Sequence, residues 1–97
     1  MLKNFRTHTI AVQFYKDCKK QKLPAYIKDQ LLRAVRSIVL NLAEGAGKST
    51  LKDRLRFYSI SLGSLREVQS IIELEELSHP RPTSDHLGAS LYKLVNQ

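Results

Sequence analysis

The sequence predicts an all-α fold of four helices, and three observations lead to that class. Apolar residues recur at the 3.6-residue spacing of an amphipathic helix in four separate segments. No segment alternates apolar and polar residues as a strand does, and no hairpin dipeptide joins two such segments. The length of 97 residues and the apolar share of 42% allow one modest core. We therefore expect a single domain over residues 1–97.

The first two helices are predicted on either side of a proline. Helix 1 should cover about residues 4–21, and helix 2 should start with Pro24 in its first turn and continue to about Glu44. We expect Gly45 and Gly47 to end helix 2 in a left-handed conformation. The expected core residues of these two helices are Ile10, Phe14, Tyr15, Cys18, Ile27, Leu31, Ala34, Val35, Ile38 and Leu42.

The last two helices are predicted to differ strongly in length. Ser49 or Thr50 should cap helix 3, which can run to about Leu77, whereas helix 4 should begin at Ser84–Asp85 after two prolines. These bounds give roughly 28 and 12 residues, or ~42 and ~18 Å at 1.5 Å per residue. Because helix 4 cannot cover helix 3, we expect apolar surface on the long helices to meet another chain.

Helix 3 also carries apolar residues on two sides. The first side has the spacing of a bundle seam and consists of Leu51, Leu55, Tyr58, Leu62, Leu65 and Ile72. The second side is roughly opposite, and with Leu40 on helix 2 it is the predicted oligomer interface: Leu40, Phe57, Ile60, Val68 and Ile71. One side should pack in the core of the chain and the other against a neighbouring subunit of a homo-oligomer.

The positive charge is concentrated in the first two thirds of the chain. The net charge is +7, with 14 Lys and Arg against 4 Asp and Glu in residues 1–66, and 2 against 5 in residues 67–97. Such an asymmetry indicates a polyanionic partner, RNA or DNA. The candidate nucleic-acid-binding residues are Lys16, Lys19, Lys20, Lys22, Lys48, Lys52, Arg56 and Arg66. The first four lie near the end of helix 1, where positive charge also stabilises the helix dipole.

A short segment after helix 2 looks like the end of a Walker A loop. Residues 45–50 read Gly-Ala-Gly-Lys-Ser-Thr, but the full motif needs a glycine where Leu42 stands, and a strand rather than a helix leading into the loop. We therefore predict no nucleotide cofactor, and a helix stop followed by a helix cap instead. Lys48 and the amides that begin helix 3 could still hold a backbone phosphate.

Other site chemistry is sparse. Cys18 is the only cysteine and has no partners at zinc spacing, so we expect a buried side chain and neither a disulfide nor a metal. No signal peptide or membrane span is visible, which indicates a cytoplasmic protein. Arg81 and His86 match the Arg-x4-His spacing of HEPN-type ribonucleases, but RNA cleavage would require both side chains to converge on one phosphate. We expect no enzyme.

Three motifs in order resemble a known family. They are Asp29-Gln30-Leu31-Leu32-Arg33-Ala34, then Ser37-Ile38-x-x-Asn41-Leu42-Ala43-Glu44-Gly45-x-Gly47-Lys48, then Phe57-Tyr58-x-x-x-Leu62-Gly63-Ser64-x-x-Glu67. They are similar to the bacterial four-helix-bundle proteins encoded in rRNA intervening sequences, and to the accessory variability determinants of diversity-generating retroelements. The resemblance implies a non-enzymatic, up-down-up-down bundle that forms a ring, typically a homopentamer. Its retroelement branch implies a basic scaffold that binds a reverse transcriptase and RNA.

The polar residues of these motifs have structural interpretations of their own. Asn41 lies at the edge of the helix 2 core, where it can fix register and share a network with Ser37. Glu44 opposes the helix dipole, so it needs a partner such as Lys48, Arg54 or Arg56. Gly63 should let two helices approach closely. The predicted structural set is Ser37, Asn41, Glu44, Gly45, Gly63 and Glu67.

The leading hypothesis is a non-enzymatic oligomeric scaffold that binds nucleic acid through its basic surface. It could act as the accessory partner of a retroelement reverse transcriptase. The alternatives are a structural homo-oligomer of the rRNA intervening-sequence type without a nucleic-acid role and, third, a HEPN-like ribonuclease.

Overall fold

A computed structural model describes residues 5–97, and within them the chain forms four α-helices and no strand. The helices are α1 (Arg6–Lys19), α2 (Ala25–Ala46), α3 (Leu51–Leu74) and α4 (Arg81–Val95). Each packs antiparallel against the next, and α4 returns to α1, so that α1 lies across the bundle from α3. The prediction of an all-α, four-helix fold is confirmed. The start of helix 1 predicted at Asn4 lies outside the described residues.

The core is drawn from one face of every helix. Its fully buried side chains include Phe14 from α1, Ile38 from α2, Leu65 from α3 and Leu87 from α4. Of the predicted core positions, Ile10, Tyr15 and Ile27 are partly buried at its edge. None of the helices within residues 5–97 is long and apolar enough to cross a membrane.

Small hydroxyl side chains form hydrogen bonds between the helices, at buried and partly buried positions. Ser61 Oγ of α3 donates to the carbonyl of Ile38 in α2 at 3.0 Å. Thr7 and Ser90 share a hydrogen bond between α1 and α4, and at the other end of the same pair Thr83 Oγ1 donates to Asp17 Oδ2 at 3.1 Å. Because buried polar groups are costly unless paired, these contacts restrict the register in which the helices can pack.

The turn between α2 and α3 differs from the prediction at its glycines. Gly45 lies inside α2, and Gly47 caps the helix with φ −85°, in the right-handed region. Among residues 5–97 no glycine has a positive φ, so the predicted left-handed stop is wrong. The helix ends through tight 3₁₀-type bonds, in which the amides of Gly47 and Lys48 donate to carbonyls three residues earlier. The predicted cap of α3 is confirmed, because Thr50 Oγ1 accepts from the Asp53 amide at 3.2 Å.

The close helix approach predicted at Gly63 occurs at Gly45 instead. A Cβ on Gly45 would lie 2.7 Å from Tyr58 Cε1 and 3.0 Å from Phe57 Cβ, whereas a Cβ on Gly63 would meet nothing within 4 Å. Gly63 is exposed on α3. Within one chain Gly63 makes no such approach, because this position of α3 faces away from both neighbouring helices.

The connection between α3 and α4 has the expected six residues but lies three residues earlier than predicted, at 75–80. α3 ends at Leu74, and Glu76 with φ 54° turns the chain while the Leu77 amide donates to the Ile72 carbonyl at 2.9 Å. α4 begins at Arg81 rather than at Ser84–Asp85, because Pro82 fits a first helical turn, where the missing N–H has no partner to lose. The mismatch in length remains but is smaller, at 24 residues for α3 and 15 for α4.

The second apolar side of α3 is mostly covered within the chain. Val68 and Ile71, two predicted oligomer contacts, are 0% and 7% exposed in the core, so this part of the predicted interface is wrong. A helix in a four-helix bundle has two neighbours, which for α3 are α2 and α4. Two apolar sides therefore follow from the fold of one chain. Leu40 and Ile60 remain exposed, at 60% and 45%, and Phe57 is half-buried.

Candidate functional site

A polar strip runs along the outer side of α3 and carries positive charge only. Steps of four, three, four, three and four residues keep its members on one side, and every one of them is exposed. Within residues 5–97 no carboxylate lies at salt-bridge distance from its three cations. The strip consists of Lys52, Arg56, Ser59, Gly63, Arg66 and Ser70. The candidate residues Lys52, Arg56 and Arg66 thus lie together on one exposed side of α3, and their binding to nucleic acid stays a prediction.

Lys48 is engaged locally at the corner between α2 and α3. Its Nζ lies 3.1 Å from Glu44 Oε2 and 5.2 Å from the centroid of the Phe57 ring. Arg56 approaches the same ring, with Cζ 4.9 Å from the centroid. The predicted partner of Glu44 is thus confirmed as Lys48. A phosphate at Lys48 would have to compete with this carboxylate, so Lys48 is a weaker candidate than the strip.

The lysines at the end of α1 form a separate patch. Lys16, Lys19, Lys20 and Lys22 are all exposed, but they lie where α1 leads into α2, at the opposite end of the bundle from Lys48. The 22 residues of α2 separate the two ends by ~33 Å. Since α1 also lies across the bundle from α3, the fold does not bring these lysines together with the α3 strip in one chain.

The polar residues of the second motif form the expected network between α2 and α3. Asn41 Nδ2 donates to the carbonyl and the hydroxyl of Ser37 at 2.9 and 3.2 Å, and Ser37 Oγ bonds Ser64 Oγ at 2.8 Å. The predicted sharing between Asn41 and Ser37 is confirmed. Sequence reasoning missed the role of Ser64, although its place four residues after Ile60 on a partly polar side was a usable signal.

An exposed surface lies beside this network on the outside of the α2–α3 pair. Ile60, Gly63 and Glu67 follow one another at three and four residues on α3, and Leu40 stands one turn after Ser37 on α2. All four are exposed, and Glu67 has no hydrogen bond or ion pair with another described side chain. We call these four residues the outer face. An exposed carboxylate is ordinary on a helix surface, but packing within one chain does not explain the glycine, which is unfavourable in the interior of a helix.

The two residues of the ribonuclease hypothesis point in different directions. Arg81 is the first residue of α4, and its Nε donates to the Leu77 carbonyl at 2.9 Å. His86 lies five residues further on the same helix, about 140° around its axis. His86 instead lines a pocket with Arg6, Ser90 and Lys93. The geometry therefore offers no convergence of the two side chains on one phosphate.

The other candidate groups are the single cysteine, the residues that could bind a metal, and a contact between α1 and α2. Cys18 is fully buried, and burial, with a smaller contribution from the Asp17 charge, raises the pKa of its thiol to about 12. Within residues 5–97, no three His, Cys, Asp or Glu side chains group in a way that could hold a metal ion. A feature without a sequence signal is the contact of Arg36 Nη2 with Tyr15 Oη at 2.9 Å, beside a groove between α1 and α2.

Comparison with known families gives a match over most of the chain. The family model described as 23S rRNA-intervening sequence protein matches residues 4–81, which is four fifths of the chain and includes all three motifs. No curated protein and no solved structure matches the chain. The rRNA intervening-sequence part of the predicted resemblance is confirmed, whereas the relation to retroelement accessory proteins stays a prediction.

Proposed function

We propose that this chain, which belongs to the family of 23S rRNA-intervening sequence proteins, is a non-enzymatic scaffold that assembles with copies of itself and binds nucleic acid. The observation that carries the proposal is the α3 strip. Three cations stand on one side of one helix, and no described carboxylate neutralises them. Phosphate oxygens are the chemical complement of such a strip, and contacts to them are tolerant of sequence.

The proposed assembly rests on the outer face. Leu40 and Ile60 flank the Ser37–Ser64 hydrogen bond on its outside, so each helix contributes one exposed apolar side chain at the same level. Gly63, one turn from Ile60, leaves room for a helix of another chain to approach closely. This pairing of exposed apolar residues with a bare glycine is typical of a surface that another copy covers. A ring of five, which the resemblance implies, would repeat the α3 strip around its circumference.

Nucleic-acid binding is tested by neutralising the strip. The triple variant Lys52→Gln, Arg56→Gln and Arg66→Gln should bind an oligonucleotide more weakly than the wild type, and its dependence on salt should be flatter. Each lost phosphate contact lowers the slope of log affinity against log salt by about 0.9 for duplex DNA and about 0.7 for a single strand. Fluorescence anisotropy over a series of salt concentrations measures both quantities.

The matched control removes the same charge elsewhere. Lys28→Gln, Arg33→Gln and Arg81→Gln also lower the net charge by three, but these residues lie outside the strip and the lysine patch. Their salt slope should stay close to that of the wild type. If both triple variants lose affinity equally, binding depends on the net charge and not on the strip. If the wild type does not bind at all, the structural homo-oligomer becomes the better hypothesis.

Assembly is tested by light scattering on the outer face. The double variant Leu40→Glu and Ile60→Glu should reduce a multi-chain mass to that of the 11.1 kDa chain, because it places charges in the apolar part of the contact. Tyr92→Glu on α4 is the control, since Tyr92 is 62% exposed outside this surface. A wild type that is already monomeric would refute the assembly.

The reverse-transcriptase partner is a further part of the proposal and comes from the retroelement branch of the resemblance alone. Its support would be a reverse-transcriptase gene and a repeat pair next to the gene for this chain. A neighbourhood without them would remove this partner and leave the scaffold itself unaffected.

A further inference from the structure

A shallow pocket between the start of α1 and the second half of α4 collects positive charge. It measures about 280 Å³, and no carboxylate is among its lining residues, which are Arg6, His86, Ala89, Ser90 and Lys93. Neither of its two permanent cations pairs with an acid within residues 5–97. The acid nearest in sequence, Asp85, precedes His86 and lies about 100° around α4 from it.

The fold places these side chains together by two simple features. His86, Ser90 and Lys93 are separated by four and three residues, so they lie on one side of α4. The hydrogen bond between Thr7 and Ser90 holds the first turn of α1 against that side, which brings Arg6 to the pocket. α1 has no acidic residue in its first turn, so the positive end of its dipole adds to the same field.

Packing does not explain this arrangement. Arg6, His86 and Lys93 are all exposed, so none of them fills the core. Two like charges on one small pocket repel each other, and no described acid offsets that repulsion. An anion in the pocket would turn the unfavourable arrangement into a favourable one.

We propose that this pocket binds a phosphomonoester or free phosphate dianion. The guanidinium of Arg6, the ammonium of Lys93 and the imidazole of His86 are donors that suit phosphate oxygens, with the Ser90 hydroxyl between them. The volume is just below the roughly 300–1,000 Å³ of ordinary small-molecule sites, so it suits a phosphate group rather than a whole nucleotide. A monoester offers three terminal oxygens and about two charges, which matches three donors better than a backbone diester does.

This site goes beyond the proposed scaffold function, because it uses no residue of the α3 strip. The same chemistry has two sources, which are inorganic phosphate in solution and the 5′-phosphate at the end of a nucleic-acid strand. The experiment therefore needs one arm for each source.

The first arm follows backbone amide resonances by NMR while sodium phosphate replaces sodium chloride at constant ionic strength. We expect saturable shifts around Arg6, Ser90 and Lys93. The shifts should disappear in the double variant Arg6→Gln and Lys93→Gln. They should persist in Lys28→Gln and Arg33→Gln, which removes the same charge from α2.

The second arm compares two oligonucleotides of the same sequence with a 5′-phosphate or a 5′-hydroxyl. The phosphorylated strand should bind about tenfold more tightly, the size of one charge-assisted contact, and this preference should vanish in Arg6→Gln and Lys93→Gln. Saturable phosphate shifts with equal affinity for the two strands would assign the pocket to free phosphate.

The two proposals can fail separately. The absence of saturable shifts together with equal affinity for both strands would overturn the pocket. Phosphate shifts in a protein that binds neither strand would instead overturn nucleic-acid binding and leave the pocket in place.

Discussion

Gly45→Ala and Gly63→Ala add the same methyl group to neighbouring helices, and the structure predicts opposite effects on stability. At Gly45 the new Cβ would lie 2.7 Å from Tyr58 Cε1 and 3.0 Å from Phe57 Cβ. At Gly63 it would meet no atom within 4 Å. The Tyr58 ring cannot simply turn away, because it is 5% exposed and packs against Phe5 with centroids 5.9 Å apart.

The expected magnitudes come from two opposing terms. Alanine gains up to about 1 kcal/mol over glycine in a helix interior, so Gly63→Ala should raise the free energy of unfolding by about 0.5–1 kcal/mol. Overpacking a well-filled contact costs about 1–3 kcal/mol. This cost exceeds the propensity gain at Gly45, which stands next to the last residue of α2. Gly45→Ala should therefore lower the free energy of unfolding by about 1–2 kcal/mol.

Urea denaturation followed by circular dichroism measures both variants against the wild type. The two variants should differ by about 1.5–3 kcal/mol, and since 1 kcal/mol shifts the midpoint by about 4–8 °C in a chain of this size, their thermal midpoints should differ by about 6 °C or more. A Gly45→Ala variant as stable as Gly63→Ala would refute the close packing of α2 on α3. The gain at Gly63→Ala applies to the separate chain. Where copies associate through the outer face, the added methyl should weaken the assembly, and this loss should grow with protein concentration.

Two further predictions concern backbone strain and a buried thiol. Glu76 has φ 54°, where an L-residue pays roughly 1–2 kcal/mol, so Glu76→Gly should raise the free energy of unfolding by about 1 kcal/mol. Glu75→Gly, at φ −93°, has no strain to relieve, and an equal effect in urea denaturation would contradict the explanation. Burial raises the pKa of Cys18 from 9.0 to about 12, so its contribution to stability is fully present below pH 9 and is lost as pH rises from there towards 12. Cys18→Ala should therefore lose less stability than the wild type between pH about 8 and about 10.5, although some loss should remain from Tyr58, whose pKa burial also raises. Thermal midpoints that fall equally in the two proteins between these pH values would refute this explanation.

The helices could be predicted from the sequence because their signals are local. The 3.6-residue spacing, Pro24 before α2 and the Thr50 cap each depend on a few neighbouring residues. The helix ends that were predicted wrongly are places where the same local sequence is compatible with more than one backbone conformation. Gly47 could adopt a left-handed conformation but takes a tight right-handed turn. Within residues 5–97 the residue with a positive φ is Glu76, and residue type alone would not predict a glutamate there.

The errors about surfaces have a different origin. Periodicity on one helix shows that a side is apolar, but it does not show which neighbour covers it. Val68 and Ile71 have the pattern of an interface with another subunit, but both are buried in the core of the same chain. A projection of one helix at a time does not show whether Gly45 or Gly63 lies against another helix. Only the packing of Tyr58 against α2 shows that the close contact is at Gly45. The exposed α3 strip was predictable, because three cations on one side of a helix cannot all be buried.

The strip and the outer face are not independent, because they share α3. Gly63 belongs to both. Arg56 lies one turn before Ile60 on α3, nearer to the α2–α3 corner. A neighbouring chain on the outer face would therefore leave the strip at the margin of the contact rather than bury it. Each added subunit then contributes one more strip to the same ligand, and linked sites gain affinity without any new contact.

Dissociating the assembly with Leu40→Glu and Ile60→Glu should for this reason weaken nucleic-acid binding more than two added charges alone, whereas neutralising the strip should leave the mass of the assembly unchanged. The reverse pattern, in which strip variants dissociate the assembly, would place the subunit contact on the strip itself.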